Sequence, residues 1–520
     1  MSLYRSFATV GSLTMVSRVL GFVRDILIAA VLGTGAVADA FFVAFRIPNL
    51  FRRVFAEGAF NAAFVPLFSK QLEGEGMSAA RRFAEEALAL LFATLLVLTA
   101  LAEIAMPWLM YLIAWGFADT PEKFDLAVLL SRIAFPYLLC MSLVALLSGV
   151  LNALGRFAVA AAAPILLNVV LISVMVGVAW AGFGNTPEAG IALSWGVAAA
   201  GLLQLVVLGL WARRFGMGLR LRRPRYTASV HRLVCLGLPG VAAASVTQLN
   251  IFIGGLIASF QDSAVSWLYY ADRIYQLPLG LVGIAIGVVL LPDLSRKLRS
   301  GDDAAALASQ NRSLELSLLL TLPAAVALAV VPEPIIRVLF ERGAFAASDT
   351  AATVAALAWF AAGLPAFVLI KVFSPGFFAR ENTLTPMYYA VASVVVNVAG
   401  SLALFPSLGH VGIAIATTAA GWVNALLLAG TLFRQGNFAF DATFRRRAIP
   451  IVVSSAVMGL ALWGTDTALA PWFAPSNGVF VQVAALGGLV LGGLLVYAAA
   501  AQLSGATHLP SLLRGMTRGG

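Results

Sequence analysis

The stretch SRVLGFVRDILIAAVLG, Ser17 to Gly33, is apolar enough for a bilayer yet carries Arg18, Arg24 and Asp25 in its middle. A charge at the bilayer centre costs roughly 2.5–3.5 kcal/mol on insertion scales, so its reading decides the fold. A cleaved leader has a compact apolar core followed by a small-residue cleavage site. Here the apolar run is broken by three charges and no such site follows. The segment is expected to be a first spanning helix.

The whole chain supports a membrane solvent. Its 520 residues are 61% hydrophobic and 11% charged, against about 25% charged in a soluble domain. A water-exposed surface of this size could not be covered. Cys140 and Cys235 both lie in apolar segments and are read as small buried hydrophobes. The three histidines, His231, His410 and His508, stand near segment ends or in the tail. A zinc or haem centre is therefore not expected, and no cofactor or metal is predicted.

A spanning helix needs about 20 mostly apolar residues. Fourteen segments meet this: 6–32, 37–68, 84–113, 128–154, 158–182, 190–212, 232–260, 264–292, 313–340, 351–378, 385–406, 410–433, 447–469 and 478–503. Loop charges fix the orientation. The side of the N-terminus carries 23 basic residues, and the opposite loops carry only Lys123 and Arg342. The positive-inside rule then places both termini in the cytoplasm. The formal charge of +10 reports topology and contact with anionic lipid, and a nucleic-acid partner is not expected.

The chain also repeats itself. AFRIPNLFRRVFAEGAFNAAFVPLFSKQ, from Ala44, aligns with ADRIYQLPLGLVGIAIGVVLLPDLSRKL, from Ala271. Arg46, Ile47 and Leu50 match Arg273, Ile274 and Leu277 at an offset of 227; Pro66 and Ser69 match Pro292 and Ser295 after a one-residue gap. GIAL at Gly190 parallels GIAI at Gly412. Six spans per copy is an even number, so both halves enter from one side, as in a parallel repeat about the membrane normal. The expected fold is all-α and integral to the membrane: 14 transmembrane helices in two six-helix lobes, plus two C-terminal helices. The expected divisions are an N-lobe at 1–215, a basic cytoplasmic linker at 216–231, a C-lobe at 232–436, and spans 13–14 with the tail at 437–520. The linker, with ARRFGMGLRLRRPRYTASVHR around it, either orients the chain by charge or forms a short amphipathic helix on the inner leaflet.

Nine basic residues remain inside or at the ends of spans. Arg132 and Arg337 lie near helix ends, where they can snorkel. The other seven are Arg18, Arg24, Arg46, Arg52, Arg53, Arg273 and Lys371, against the acids Asp25, Asp39, Glu57 and Asp272. Pairing alone leaves an excess of positive charge, which is too costly to bury without water or a ligand. A cationic, water-filled cavity that receives an anion resolves this, and the planar guanidinium fork suits phosphate. Asp39, Arg46 and Arg53, seven apart, share a stripe of a regular helix, although Pro48 can kink it. Arg18 and Arg24, six apart, point about 120° away from each other. Both reach one cavity only if it is broad or if the helix bends at Gly21.

There is no GxxxxGK[ST] loop, so energy must come from a gradient or the membrane potential. No Ser/His/Asp set or paired carboxylate suggests an enzyme. The stretches SRVLGFVRD, DAFFVAFRIPNLFRRVFAEGAFNAAFVP, GFADT, SWLYYADR, LVGIAIGVVLLP and KVFSPGFFAR resemble the MurJ (MviN) lipid II flippases of the multidrug/oligosaccharidyl-lipid/polysaccharide exporter superfamily. The resemblance implies export of lipid-linked peptidoglycan precursor across the bacterial inner membrane, with the last two helices forming a groove for the undecaprenyl tail. Position by position, it implies that Arg18, Arg24, Arg52 and Arg273 meet the diphosphate. It implies an outer-gate role for Asp39, and functional roles for Glu57, Ser266, Asp272 and Lys371; Asp25 joins the gating and ion-pair set. It favours Arg52 where the spacing favours Arg53. Partners implied are lipid II, membrane lipids and the peptidoglycan synthesis or division machinery, and a monomer is expected to suffice.

Two departures stand out. Gln276 occupies a position where relatives can carry glutamate, and neither 232–260 nor 385–406 contains Asp or Glu. The carboxylate sodium site of some relatives is therefore not expected. The alternatives are a flippase for another polyprenyl-diphosphate-linked oligosaccharide, a cation-coupled drug exporter, which excess cavity arginine disfavours, and a non-transporting scaffold.

Overall fold

In a computed structural model the chain is described over residues 3–51 and 60–506. Regular structure there is helical throughout. The helices are α1 (Leu3–Leu32), α2 (Ala36–Phe51), α3 (Phe60–Gly74), α4 (Met77–Ile113), α5 (Pro121–Ala134), α6 (Tyr137–Ala153), α7 (Phe157–Trp180), α8 (Pro187–Arg214) and α9 (Ala228–Ala258). They continue as α10 (Ala264–Arg299), α11 (Asp303–Val330), α12 (Pro332–Phe340), α13 (Ala347–Phe378), α14 (Leu384–Leu408), α15 (His410–Arg434), α16 (Ala442–Leu469) and α17 (Val479–Leu503).

Among the described residues, ten segments are long and apolar enough to cross a membrane: α4, α5 with α6, α7, α8, α11 and α13 through α17, with α16 carried on to Phe473. The central windows of α14 and α17 are only 11% buried, and their exposed side chains include Val391, Val395, Leu402, Val483, Leu491 and Leu495. Apolar surface of that extent is stable only against lipid or a partner. The chain is a multi-pass, all-helical membrane protein.

Local sequence explains the breaks. Pro136 stands between α5 and α6, where it has no N–H to donate to the helical ladder. Pro332 likewise opens α12 at its first position, a place where the missing N–H is no loss. At Gly409 the backbone turns to φ 56° between α14 and α15. α4, with 37 residues, is about 55 Å long at 1.5 Å per residue. It therefore extends well past a hydrocarbon core of roughly 30 Å.

The chain divides into two compact units. One holds residues 1–266 and 342–345, and the other holds 267–341 and 346–520. In the first, α1 lies on α7, α2 on α5 and α8, and α3 on α4, α6 and α9. Phe64 stacks on Phe60, Phe68 and Phe83 at 5.2, 5.6 and 5.5 Å between ring centroids. In the second, α13 packs on α11 and α15, and α16 on α11 and α17. Tyr497 of α17 donates to the Leu319 carbonyl of α11 at 2.7 Å, within a core of Met458, Leu462 and Leu489.

Two expectations are corrected here. The fourth span begins at Pro121, not 128, because Thr120 and Pro121 make a helix start, and this takes Lys123 out of the loop. Of the two readings of the linker, the amphipathic helix does not form: Met217 to Thr227 carries no regular secondary structure, and α9 begins at Ala228. Glu85 of α4 pairs with Arg222 at 2.5 Å and with Arg81 at 3.3 Å, while Thr227 donates to Glu86 at 2.8 Å.

Candidate functional site

Asp39 sits in the first turn of α2 and is fully buried. Its Oδ2 accepts from Lys123 Nζ at 2.9 Å and from the Ser263 backbone N–H at 3.0 Å. Its Oδ1 accepts from the Ser266 backbone N–H at 3.0 Å and from the Ser266 hydroxyl at 2.5 Å. These four donors match the roughly four acceptor positions of a carboxylate. Two of them are backbone N–H groups at the start of α10, which a helix leaves without internal partners. A carboxylate on another helix therefore caps α10, at the positive end of its dipole.

Lys123 completes the cluster. It is buried, lies 4.4 Å from the centroid of the Phe117 ring, and reaches Asp262 at 3.0 Å as well as Asp39. Buried ions persist when paired and hydrogen-bonded, and here both conditions hold.

In the same unit, α1 runs as one helix from Leu3 to Leu32, through Gly21. Arg18 is exposed, whereas Arg24 is buried. Arg24 binds Asp25 Oδ1 through Nε at 3.0 Å and Nη2 at 2.7 Å, and donates from Nη1 to Asn168 Oδ1 at 2.9 Å. Asn168 of α7 in turn donates to the Ser17 carbonyl at 2.9 Å. The Phe45 ring lies 5.9 Å from the guanidinium. The guanidinium plane is thus set by two helices besides its own.

The other unit carries Asp272, Arg273 and Lys371. Arg273 donates to the Tyr269 hydroxyl at 3.0 Å and lies over that ring at 4.6 Å. Gln276 donates to Asp272 one turn away. Lys371 is exposed on α13. Arg52, Arg53 and Glu57 lie outside the described residues. Of the remaining intramembrane bases, Arg46 lies against Gly255. Arg132 donates to the Glu103 carbonyl at 3.0 Å, and Arg337 pairs with Glu333 at 2.5 Å and Glu341 at 3.5 Å, as fits a structural role for both.

A family model described as lipid II flippase MurJ matches residues 28–482. The chain belongs to the MurJ family. A probable lipid II flippase MurJ of Rhizobium meliloti is 50% identical over 520 residues, 100% of this chain and 97% of that one. Its counterpart in Rickettsia prowazekii is 37% identical, covering 89% of this chain and 90% of that one. A solved lipid II flippase MurJ in an inward closed conformation superposes with a TM-score of 0.76 at 25% identity, covering 95% of this chain and 98% of that one. A multidrug MATE transporter of the MOP superfamily, in an inward-facing conformation, shares the fold at a TM-score of 0.65 and 14% identity, over 83% of this chain and 98% of that one. Membership of the MurJ family carries with it transport rather than catalysis.

Three residues at these sites were not singled out from the sequence. Lys123 was assigned to an outer loop, although TPEK, with a cap residue, an N1 proline and an early acid, is a helix-start signal. Asn168 and Tyr269 had no such signal, since a lone polar side chain in an apolar helix does not name its partner. The expected excess of positive charge is corrected: the spans also hold Glu85, Glu86 and Glu103 on α4, Glu315 on α11, Glu333 on α12 and Asp466 on α16, which bring acids and bases close to balance. Glu85 serves Arg81 and Arg222, and Glu315 serves Arg447 at 2.5 Å. Cys235 is exposed rather than buried.

Proposed function

We propose that this chain is a lipid II flippase of the bacterial inner membrane. It moves undecaprenyl-diphosphate-linked peptidoglycan precursor from the inner to the outer leaflet by alternating access. The observation that carries the reading is Arg24, a guanidinium held rigid inside an apolar bundle, in a chain that aligns over its full length with probable lipid II flippases. A diphosphate competes with Asp25 for that guanidinium, whose fork suits phosphate; Asp25 is buried beside it, so the exchange has to give that carboxylate water or a proton.

In this reading Arg18, Arg24, Arg52 and Arg273 receive the diphosphate, with Ser266 and Lys371 as further substrate contacts. Asp25, Asp39, Glu57 and Asp272 serve gating and ion pairing. A substrate contact by Ser266 requires its bond to Asp39 to open first. The chain crosses the membrane 14 times with both termini in the cytoplasm, in two six-helix lobes. Helices α16 and α17 hold the lipid tail. It works as a monomer beside the peptidoglycan synthesis and division machinery.

The test is depletion of the protein in its host, followed by measuring lipid II exposed on the outer face of the membrane. Exposure should fall, recover with the parent chain, and stay low with Arg24→Ala. Unchanged exposure on depletion defeats the proposal. Loss of a different polyprenyl-diphosphate oligosaccharide from the outer face, with lipid II intact, would reassign the substrate.

A further inference from the structure

We propose that Lys123 is a positioning residue of the transport cycle, the hub of a latch that holds the first turn of α10 against α2 and α5 at the outer end of the first unit. The assignment of that end as outer, and the need for it to open, rest on the alternating-access reading above.

The latch is built from segments that approach at three points. Asp39 of α2 accepts both backbone N–H groups at the α10 start, and its charge is balanced by Lys123 of α5. The Phe117 ring of the GFADT stretch closes over the ammonium and adds a cation–π contact. Next to it, the Gly116 N–H donates to Ser259 Oγ at 3.0 Å, just before the α9–α10 turn. A Cβ on Gly116 would overlap the Ser259 backbone, so this approach requires glycine.

Lys123 decides whether the assembly holds. With the ammonium in place, the Asp39 carboxylate has a counter-charge and attracts the positive end of α10. Without it, a bare carboxylate would be buried in an apolar bundle. The latch also has a way to open. Asp262, the second partner of Lys123, has a side chain 88% exposed while that of Lys123 is 3% exposed, so the ammonium bridges a buried carboxylate and an exposed one. Lys123 can leave Asp39 while keeping Asp262 as its counter-charge.

The test is chemical access to Ala264, which is fully buried in the first turn of α10. In a background of Cys140→Ala with Cys235→Ser, Ala264→Cys is exposed to a membrane-impermeant maleimide from outside. Parent labelling should be slow, and Lys123→Met should raise the rate at least ten-fold. Lys123→Arg should restore most of the protection, and Asp262→Asn should change the rate less than two-fold. If Lys123→Met fails to fold, Lys123→Met with Asp39→Asn removes both charges and keeps an acceptor for α10; labelling should still be several-fold faster than parent. Parent-rate labelling in either folded variant overturns the proposal. If lipid II exposure proves independent of this protein while the labelling pattern holds, the flippase reading fails and the latch stands.

Discussion

Asp39 and Ser266 are 227 residues apart, the offset of the internal repeat, and the Ser266 hydroxyl donates to the Asp39 carboxylate at 2.5 Å. Positions that the sequence repeat would make equivalent are bonding partners here, one acidic and one hydroxylic. Asp39→Asn keeps an acceptor for α10 but leaves Lys123 buried without its main counter-charge. That change should destabilise the protein by about 3–5 kcal/mol, the cost of breaking a buried pair. Ser266→Ala removes one hydrogen bond to a charged group, about 1.5–3 kcal/mol, and leaves the backbone bond in place. Thermal unfolding in detergent should rank Asp39→Asn well below Ser266→Ala; the reverse order would show that Lys123 does not depend on Asp39.

Asn168 should matter to transport through Arg24. Asn168→Ala removes the acceptor that fixes Nη1 at 2.9 Å, and a hydrogen bond to a charged group is worth about 1.5–3 kcal/mol. If half of that is felt in substrate positioning, flipping should fall roughly ten-fold, since about 1.4 kcal/mol is a factor of ten. Arg24→Ala should abolish it. The check is the rate at which lipid II becomes accessible on the outer face. Full activity in a well-folded Asn168→Ala protein would mean that Asp25 alone orients the guanidinium.

How far the site was legible follows from these residues. Arg24 and Asp25 were visible because charges in an apolar run stand out against the cost of burying them. The helices were visible for the same reason, since twenty apolar residues admit few other fates. Lys123 was hidden by a helix boundary set seven residues late, which turned a buried lysine into an apparent loop charge. Asn168 was hidden because its partner is 144 residues away and nothing local marks the pair. The repeat offset paired Asp39 with Ser266 by position, and only the packing of α2 on the start of α10 turned that into contact.

Gly21→Ala should be tolerated. Gly21 lies inside the continuous helix α1, and an added Cβ would meet the Asn168 amide at 3.5 Å, an ordinary contact. Alanine is favoured over glycine in a helix interior by up to about 1 kcal/mol. A melting temperature equal to or above the parent's, with normal complementation of a depleted host, is expected. Loss of transport with normal stability would revive a hinge at Gly21.

Tyr269 should hold Arg273 in two separable ways. Tyr269→Phe keeps the ring beneath the guanidinium and loses the hydroxyl acceptor at 3.0 Å. Tyr269→Leu loses both. A cation–π contact away from water is worth up to about 2 kcal/mol, so flipping should decline stepwise from parent to Phe to Leu. Equal activity of the two variants would assign the whole effect to the hydroxyl.

The linker offers a test of orientation and packing together. Between Met217 and Thr227 the chain has no regular secondary structure and is rich in exposed arginine, which makes it a substrate for trypsin whenever it lifts from α4. Glu85 is the buried carboxylate that anchors it, through Arg222, Arg81 and the Arg220 N–H at 3.2 Å. Glu85→Ala removes all three, and proteolysis of a transiently opened segment tracks its open population. Cleavage in inside-out vesicles should therefore accelerate roughly ten-fold, for about 1.4 kcal/mol of lost anchoring. Right-side-out vesicles should resist in both parent and variant if the linker is cytoplasmic. Cleavage in right-side-out vesicles would invert the topology. Equal rates in inside-out vesicles would show that the Thr227–Glu86 and Arg81–Gly218 bonds suffice to keep the linker down.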